Sequence, residues 1–333
     1  MTISPSTASA GRRTLLLAGG AGLLVILLAL TSLNVGASQM KLLHLLTQPD
    51  DRVTRVLFAS RLPRTLALIL AGAGLAVAGL LMQMLARNRL VEPGTVGTFS
   101  AASFGMLLAA LINPGMALWA KFVLVSLCAA LGSWLFLAIL QRIPLRSALI
   151  VPLVGLVLSA VLASGSALVA SQFELGQALR AWSSGDFSAI LRGRYELLWI
   201  AAGMTLLAML LADRFTVIGM GKDFATNVGI NYAALMVLGV LMVSLISASV
   251  VITAGALPFV GLVVPNLVRA LVGDNMRRGI VLVALCGAAL MLAADLLGRL
   301  LIHPYEVPSA NLLAIAGSLV FIVILLRGRR QWA

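Results

Sequence analysis

The chain is a succession of apolar runs, most near twenty residues long, separated by short breaks rich in Arg, Asp, Pro and Gly. About 20 mostly apolar residues are what an α-helix needs to cross the hydrocarbon of a bilayer. The runs fall near residues 14–34, 62–85, 95–113, 117–140, 147–170, 192–212, 232–254, 258–273, 279–299 and 308–327. The run at 258–273 is short and interrupted by Pro265. The runs are long and do not alternate with period two, so they read as helices and not as strands of a barrel. The expectation is an all-α, polytopic integral membrane protein of about ten transmembrane helices.

Charge content agrees. Only 11% of the residues are charged and 61% are hydrophobic, and the mean hydropathy is +1.08. A soluble domain is about 25% charged. There is too little polar surface here to cover a water-soluble globule, and residues 1–333 read as a single transmembrane domain. The net charge of +13 does not point to nucleic acid. The basic residues lie mostly between apolar runs, with no aromatic residues interleaved among them, which is a topogenic pattern.

An even number of spans puts both termini on one side. With both in the cytoplasm, fourteen of the 24 basic residues fall on inner segments, including Arg12, Arg13, Arg87, Arg89, Arg142 and Arg214. The bias favours that orientation. The outer basic residues concentrate in the longer segments 35–61 and 171–196. An outward arginine cluster against the trend suggests a partner or ligand outside. The Arg12-Arg13 pair and the run behind it resemble a cleavable signal or a twin-arginine export signal. The run is long enough to span, however, and an uncleaved first helix is expected.

Other chemistry is sparse. Cys128 and Cys286 sit inside apolar runs, and His44 and His303 are far apart without ligand spacing, so neither a metal nor a resident cofactor is expected. The stretch GAGLAVAG at 72–79 has no strand before it and no acidic ribose partner about 20 residues on, which argues against a dinucleotide site. Gly72, Ala76 and Gly79 lie at helical spacing, as do Gly74 and Ala78. Such stripes let helix backbones approach closely in lipid. Residues 213–231 are too polar to span and too apolar for a plain linker. They read either as a surface helix that docks a partner or as an ordinary helix connection.

Four patches carry a resemblance to a known family. Arg61-Leu62-Pro63-Arg64 through Arg87-Asn88-Arg89-Leu90-Val91-Glu92-Pro93-Gly94 is similar to the pattern RLPR…GAALAxxGxxxQxxxxNPLAxPGxLG. Gly255 through Arg269 is similar to GxIxFIGLxxPHxxR. Ala294-Asp295-Leu296-Leu297-Gly298-Arg299 and Glu306-Val307-Pro308 complete the set. The chain thereby resembles the FecCD family, permease subunits of ABC importers for iron-siderophore complexes, haem and vitamin B12, and it looks nearest the iron-chelate branch. It departs from the pattern at Arg89, at Asn266 in place of His, and at Ser309-Ala310.

The resemblance implies a fold like that of the vitamin B12 importer permease, in the bacterial cytoplasmic (inner) membrane. It implies a second permease subunit, a copy or a paralogue. It also implies two cytoplasmic ATPase subunits that bind ATP and Mg, and a periplasmic or extracellular substrate-binding protein. Arg61, Arg64 and Arg299 match the arginines that receive the binding protein, a role suited to the planar guanidinium fork. Arg299 can equally pair with Asp295 one helical turn away, and Arg61 and Arg64 can snorkel to the interface. The cytoplasmic coupling segment maps to 213–231, centred on Gly221, Lys222, Asp223 and Ala225. Ser159, Ser164, Ser166 and Ser318 would face a weakly polar pathway, with Ser147 and Ala148 near an inner gate.

The implied cargo is an iron-siderophore, with haem or a corrinoid as the alternative. A secondary transporter would need intramembrane acids for ion coupling, and only Asp295 and Glu92 stand near spans. An enzyme would need a clustered nucleophile, base or metal set, and no GxSxG, HExxH or Walker A loop is present. No catalytic residue is assigned, and ATP hydrolysis is expected on a separate polypeptide.

Overall fold

The computed structural model describes residues 7–35, 51–143, 149–273, 276–302 and 305–332. Among these the secondary structure is helical throughout, apart from one isolated bridge between Ile302 and Tyr305. In chain order the helices are α1 (Thr7–Asn34), α2 (Asp51–Val56), a π-helical turn (Leu57–Arg61), α3 (Leu62–Leu85), α4 (Thr98–Ile112), α5 (Leu118–Leu140), α6 (Ile150–Gln172) and α7 (Gly176–Ser183). They continue with α8 (Leu198–Leu210), α9 (Ala212–Gly219), α10 (Lys222–Asn227), α11 (Tyr232–Ala254), α12 (Val260–Val272), α13 (Met276–Leu301) and α14 (Ser309–Trp332).

A helix sits on each of the ten apolar runs. Six of the described helices are long and apolar enough to cross a membrane by themselves. α8 and α9 pass the same test only when taken together, and they bend by 71° at their junction. The runs at α4, α12 and the apolar part of α14 give shorter helices. The bend falls where the run at 192–212 ends and the segment 213–231 begins. It lets α9 turn its apolar side, Ala212, Phe215 and Ile218, back onto the bundle while Asp213 and Arg214 stay exposed.

The hub is α3, which packs against α8, α11, α12 and α13. Its small residues explain how one helix reaches so many neighbours. A Cβ on Gly72 would fall on the backbone of Gly287 in α13, and one on Gly79 would fall on the backbone of Gly261 in α12. The stripe at Gly72, Ala76 and Gly79 thus works as a close-packing face. By contrast α1 and α6 lie at the rim. α6 exposes Leu153, Leu156, Val157, Val161 and Leu168, as a lipid-facing or partner-facing helix does.

Two prolines interrupt the helical ladder, and the freed carbonyls are rescued from far away. Pro63 has no N–H for Ala59, whose oxygen instead accepts from the Arg192 backbone N–H at 3.0 Å. Pro265 leaves the Gly261 oxygen free, and the Gln83 side chain donates to it at 3.3 Å. In lipid there is no water to do this, so the fold itself must supply the donor.

Candidate functional site

One end of the bundle gathers the charged groups that the sequence scatters over nearly three hundred residues. The C-terminal end of α1, the start of α3, the end of α13 and the turn before α14 meet there. The last carbonyls of α1 have no partner within their own helix. Arg299 donates to the oxygens of Ser32 at 3.1 Å and Val35 at 2.9 Å, and Arg61 donates to that of Leu33 at 2.8 Å. Cations at a helix C-terminus are also favoured by its dipole.

Asp295 sits at the centre, 2% exposed. One carboxylate oxygen accepts from Arg64 Nη2 at 2.7 Å and from Ser309 Oγ at 3.3 Å, while the other accepts from Arg299. Arg64 Nη1 reaches a second carboxylate, Glu306, at 2.8 Å. The structure therefore brings Arg61, Arg64 and Arg299 together. It also gives each of them internal partners, and the Asp295–Arg299 pair across one helical turn is present. Arg299 is 5% exposed, a depth that sequence alone did not suggest. The pairing of Arg64 with Glu306 was not foreseen either, because no local spacing relates residues 242 apart.

At the opposite end of α3 lies the segment expected to couple to a motor. It has its own structure, the two short helices α9 and α10. Gly221 separates them at φ +114, a conformation L side chains rarely adopt, and its α-carbon faces the Arg87 guanidinium. Ala225 is fully buried and anchors α10. Lys222 and Asp223 are exposed. The sequence reading missed the apolar side. Met220, Phe224 and Val228 are exposed at spacing i, i+4, i+8, an apolar stripe that no described residue covers. The spacing was visible in the sequence, but the exposure was not.

The serines expected along a pathway are dispersed. Ser164 is exposed, Ser159 and Ser318 are half-buried, and Ser166 is buried. Ser159 donates to the Thr95 oxygen at 3.3 Å, and Ser166 to the Leu162 oxygen at 2.8 Å. Ala160, Ala163, Ser164 and Ala167 form an exposed small-residue face on α6. Ser147 and Ala148 lie outside the described residues.

Between these ends α12 is locked to the turn after α3. Glu92 reads in the sequence as a residue of a polar turn, yet it is 2% exposed. Its carboxylate accepts the Phe259 backbone N–H at 2.8 Å, with the backbone of Leu262 and Gly261 as further partners. It thus caps the first turn of α12 from a distant segment. Asn266 donates to the Arg89 and Leu262 oxygens, both at 2.8 Å, and Arg269 donates to Gln83 Oε1 at 3.3 Å. Replacing Glu92 by Ala strands buried N–H donors and is expected to cost about 1–3 kcal/mol. Glu92→Gln keeps an acceptor oxygen and should lose less than half as much, as read by thermal unfolding in detergent.

Comparison with known proteins adds four findings. The FecCD transport family matches residues 22–327. The petrobactin import system permease of Bacillus subtilis is 37% identical over 93% of this chain and 98% of its own length. The ferric-anguibactin transport system permease of Vibrio anguillarum is 39% identical over 91% and 96%. Among solved structures, an inward-facing ABC transporter of metal-chelate type superposes with a TM-score of 0.77 at 28% identity, covering 93% of this chain and 98% of that one.

Proposed function

The chain belongs to the FecCD transport family, and from that premise we propose that it is the membrane-crossing subunit of an ATP-driven importer that carries a ferric siderophore into the cytoplasm. The likeness to permeases of petrobactin and anguibactin systems supports this cargo over haem or a corrinoid.

The observation that carries the mechanism is the α9–α10 segment. Its stripe of Met220, Phe224 and Val228, flanked by Lys222 and Asp223, suits the groove of a cytoplasmic ATPase subunit. Gly221 sets the angle at which α10 is presented, and Ala225 ties it to the bundle, so a push on the stripe reaches the hub helix. A second permease subunit packs on the small-residue face of α6, and the cargo passes between the two. Weakly polar walls such as Ser159, Ser164 and Ser318 let a bulky chelate move without being trapped. Both termini face the cytoplasm, which puts α10 inside and the Arg64 cluster outside. There Arg61 and Arg64 receive acidic groups of a substrate-binding protein, while Arg299 holds the cluster from beneath.

The test is uptake of a radio-iron-labelled catecholate siderophore into proteoliposomes. Transport is expected only with ATP, the ATPase subunits and the binding protein together. Phe224→Asp should reduce it about tenfold or more while leaving the chain monodisperse. Uptake by the lone chain under a proton gradient, or uptake of haem alone, would sink this reading.

A further inference from the structure

The Arg64 guanidinium is divided between two carboxylates of unlike character. Asp295 takes Nη2 at 2.7 Å, and its side chain is 1% exposed. It is also bonded to Arg299 and Ser309, so it cannot leave without stranding buried groups. Glu306 takes Nη1 at 2.8 Å, and its side chain is 29% exposed. It stands in a turn held at the residue on either side, where the Tyr305 N–H donates to the Ile302 oxygen at 2.8 Å and the Val307 N–H to the Gly298 oxygen at 3.0 Å. One bond of the fork is therefore fixed and the other sits at the surface.

We propose that Glu306 is an internal stand-in for the carboxylate of the docking protein, occupying the outer half of the Arg64 fork until that partner displaces it. This rests on the docking role given to Arg64 above. The partner it fits is a protein presenting an acidic side chain, since the site offers one half of a guanidinium fork. Before docking, Glu306 satisfies the outer Nη1 of Arg64, whose other side Asp295 holds. On docking, one carboxylate replaces another, so net affinity reflects the difference between two similar bonds. That difference keeps the complex weak and reversible, as repeated delivery cycles require. Because α14 begins at Ser309, three residues on, release of Glu306 also loosens the entry to that helix.

The experiment measures the Kd of the soluble binding protein that supports uptake with this chain, on the chain in nanodiscs at low salt. Glu306→Gln is expected to tighten docking about threefold or more, since the competitor is gone. Glu306→Asp keeps the charge but shortens the reach, and should also tighten docking. Glu196→Gln removes a charge from an exposed loop residue that does not touch Arg64, and should change Kd less than twofold. In an Arg64→Ala background, Glu306→Gln should have no effect, because the two act through one contact. In the wild-type chain, hydrogen exchange at residues 305–312 should rise on docking, a readout that needs no variant.

If Arg64→Glu weakens docking but both Glu306 variants leave it unchanged or weaker, the stand-in idea fails and the docking reading survives. If Arg64→Glu leaves docking unchanged, the docking reading falls and takes this proposal with it.

Discussion

Replacing Asp295 by Ala is expected to destabilise the chain by about 3–5 kcal/mol, the usual consequence of removing one member of a buried ion cluster. Asp295 is the only described carboxylate that touches both Arg64 and Arg299. Without it, Arg299 stays 5% exposed with no counter-charge beside it, and Arg64 keeps only the half-exposed Glu306. α1 and α3 meet beside the cluster through the Ser32–Thr65 hydroxyl contact at 3.0 Å, so the stranded Arg299 stays on the buried side of it. The variant should show a sharply lower midpoint in thermal size-exclusion, or fail to accumulate. The informative partner is Asp295→Ala combined with Arg299→Met. Removing both charges together should recover much of the loss, because the cost lies in the stranded cation and not in the pair. A single variant as stable as wild type would show that the cluster is already hydrated.

The second large effect concerns the hub helix. Gly79→Leu is expected to cost above about 3 kcal/mol, at or beyond the top of the usual overpacking range. A Cβ at this position meets the backbone of Gly261 and not a side-chain tip. Backbone cannot rotate away, so α3 and α12 must separate, and the Gln83 and Glu92 bonds to α12 must stretch with them. Gly203→Leu provides the contrast. Nothing lies within 4 Å of a Cβ there, so its stability should stay within about 0.5 kcal/mol of wild type. Monodisperse fraction after graded heating separates the two. Equal tolerance at both glycines would contradict the close approach of α3 and α12.

These two sites also mark what a linear sequence can and cannot disclose. The small-residue stripe of α3 was legible, because helix periodicity fixes which residues share a face. So were the bounds of α3 itself, since Pro63 and the Arg87–Arg89 break frame it. The partners of that face were not. Nothing local relates Gly79 to Gly261, Gln83 to the carbonyl that Pro265 sets free, or Arg64 to Asp295, because each pair forms only when distant helices pack. Glu92 misled for the same reason. An acid before Pro-Gly reads as a solvated turn, and its burial follows from α12 presenting N–H groups that need an acceptor. The α9–α10 segment was found from its composition, but its exposed stripe emerged only once Ala225 was seen to face inward. The bend at Leu211 carries no Gly or Pro signal at all.

The reliance of α1 on Arg299 sets a timetable for biogenesis. Arg299 and the Ser32 carbonyl it satisfies lie 267 residues apart, and Arg64 precedes its counter-ion Asp295 by 231. At ordinary ribosome speeds, the first helices therefore wait on the order of tens of seconds for the groups that complete them. During that interval Arg64 must be held at the headgroups, and the end of α1 must stay wet. A nascent chain that stalls or is cut short before α13 leaves both ends unfinished. Quality-control proteases in the membrane would meet an exposed arginine and a frayed helix, so the cluster that closes the mature protein also marks an incomplete one.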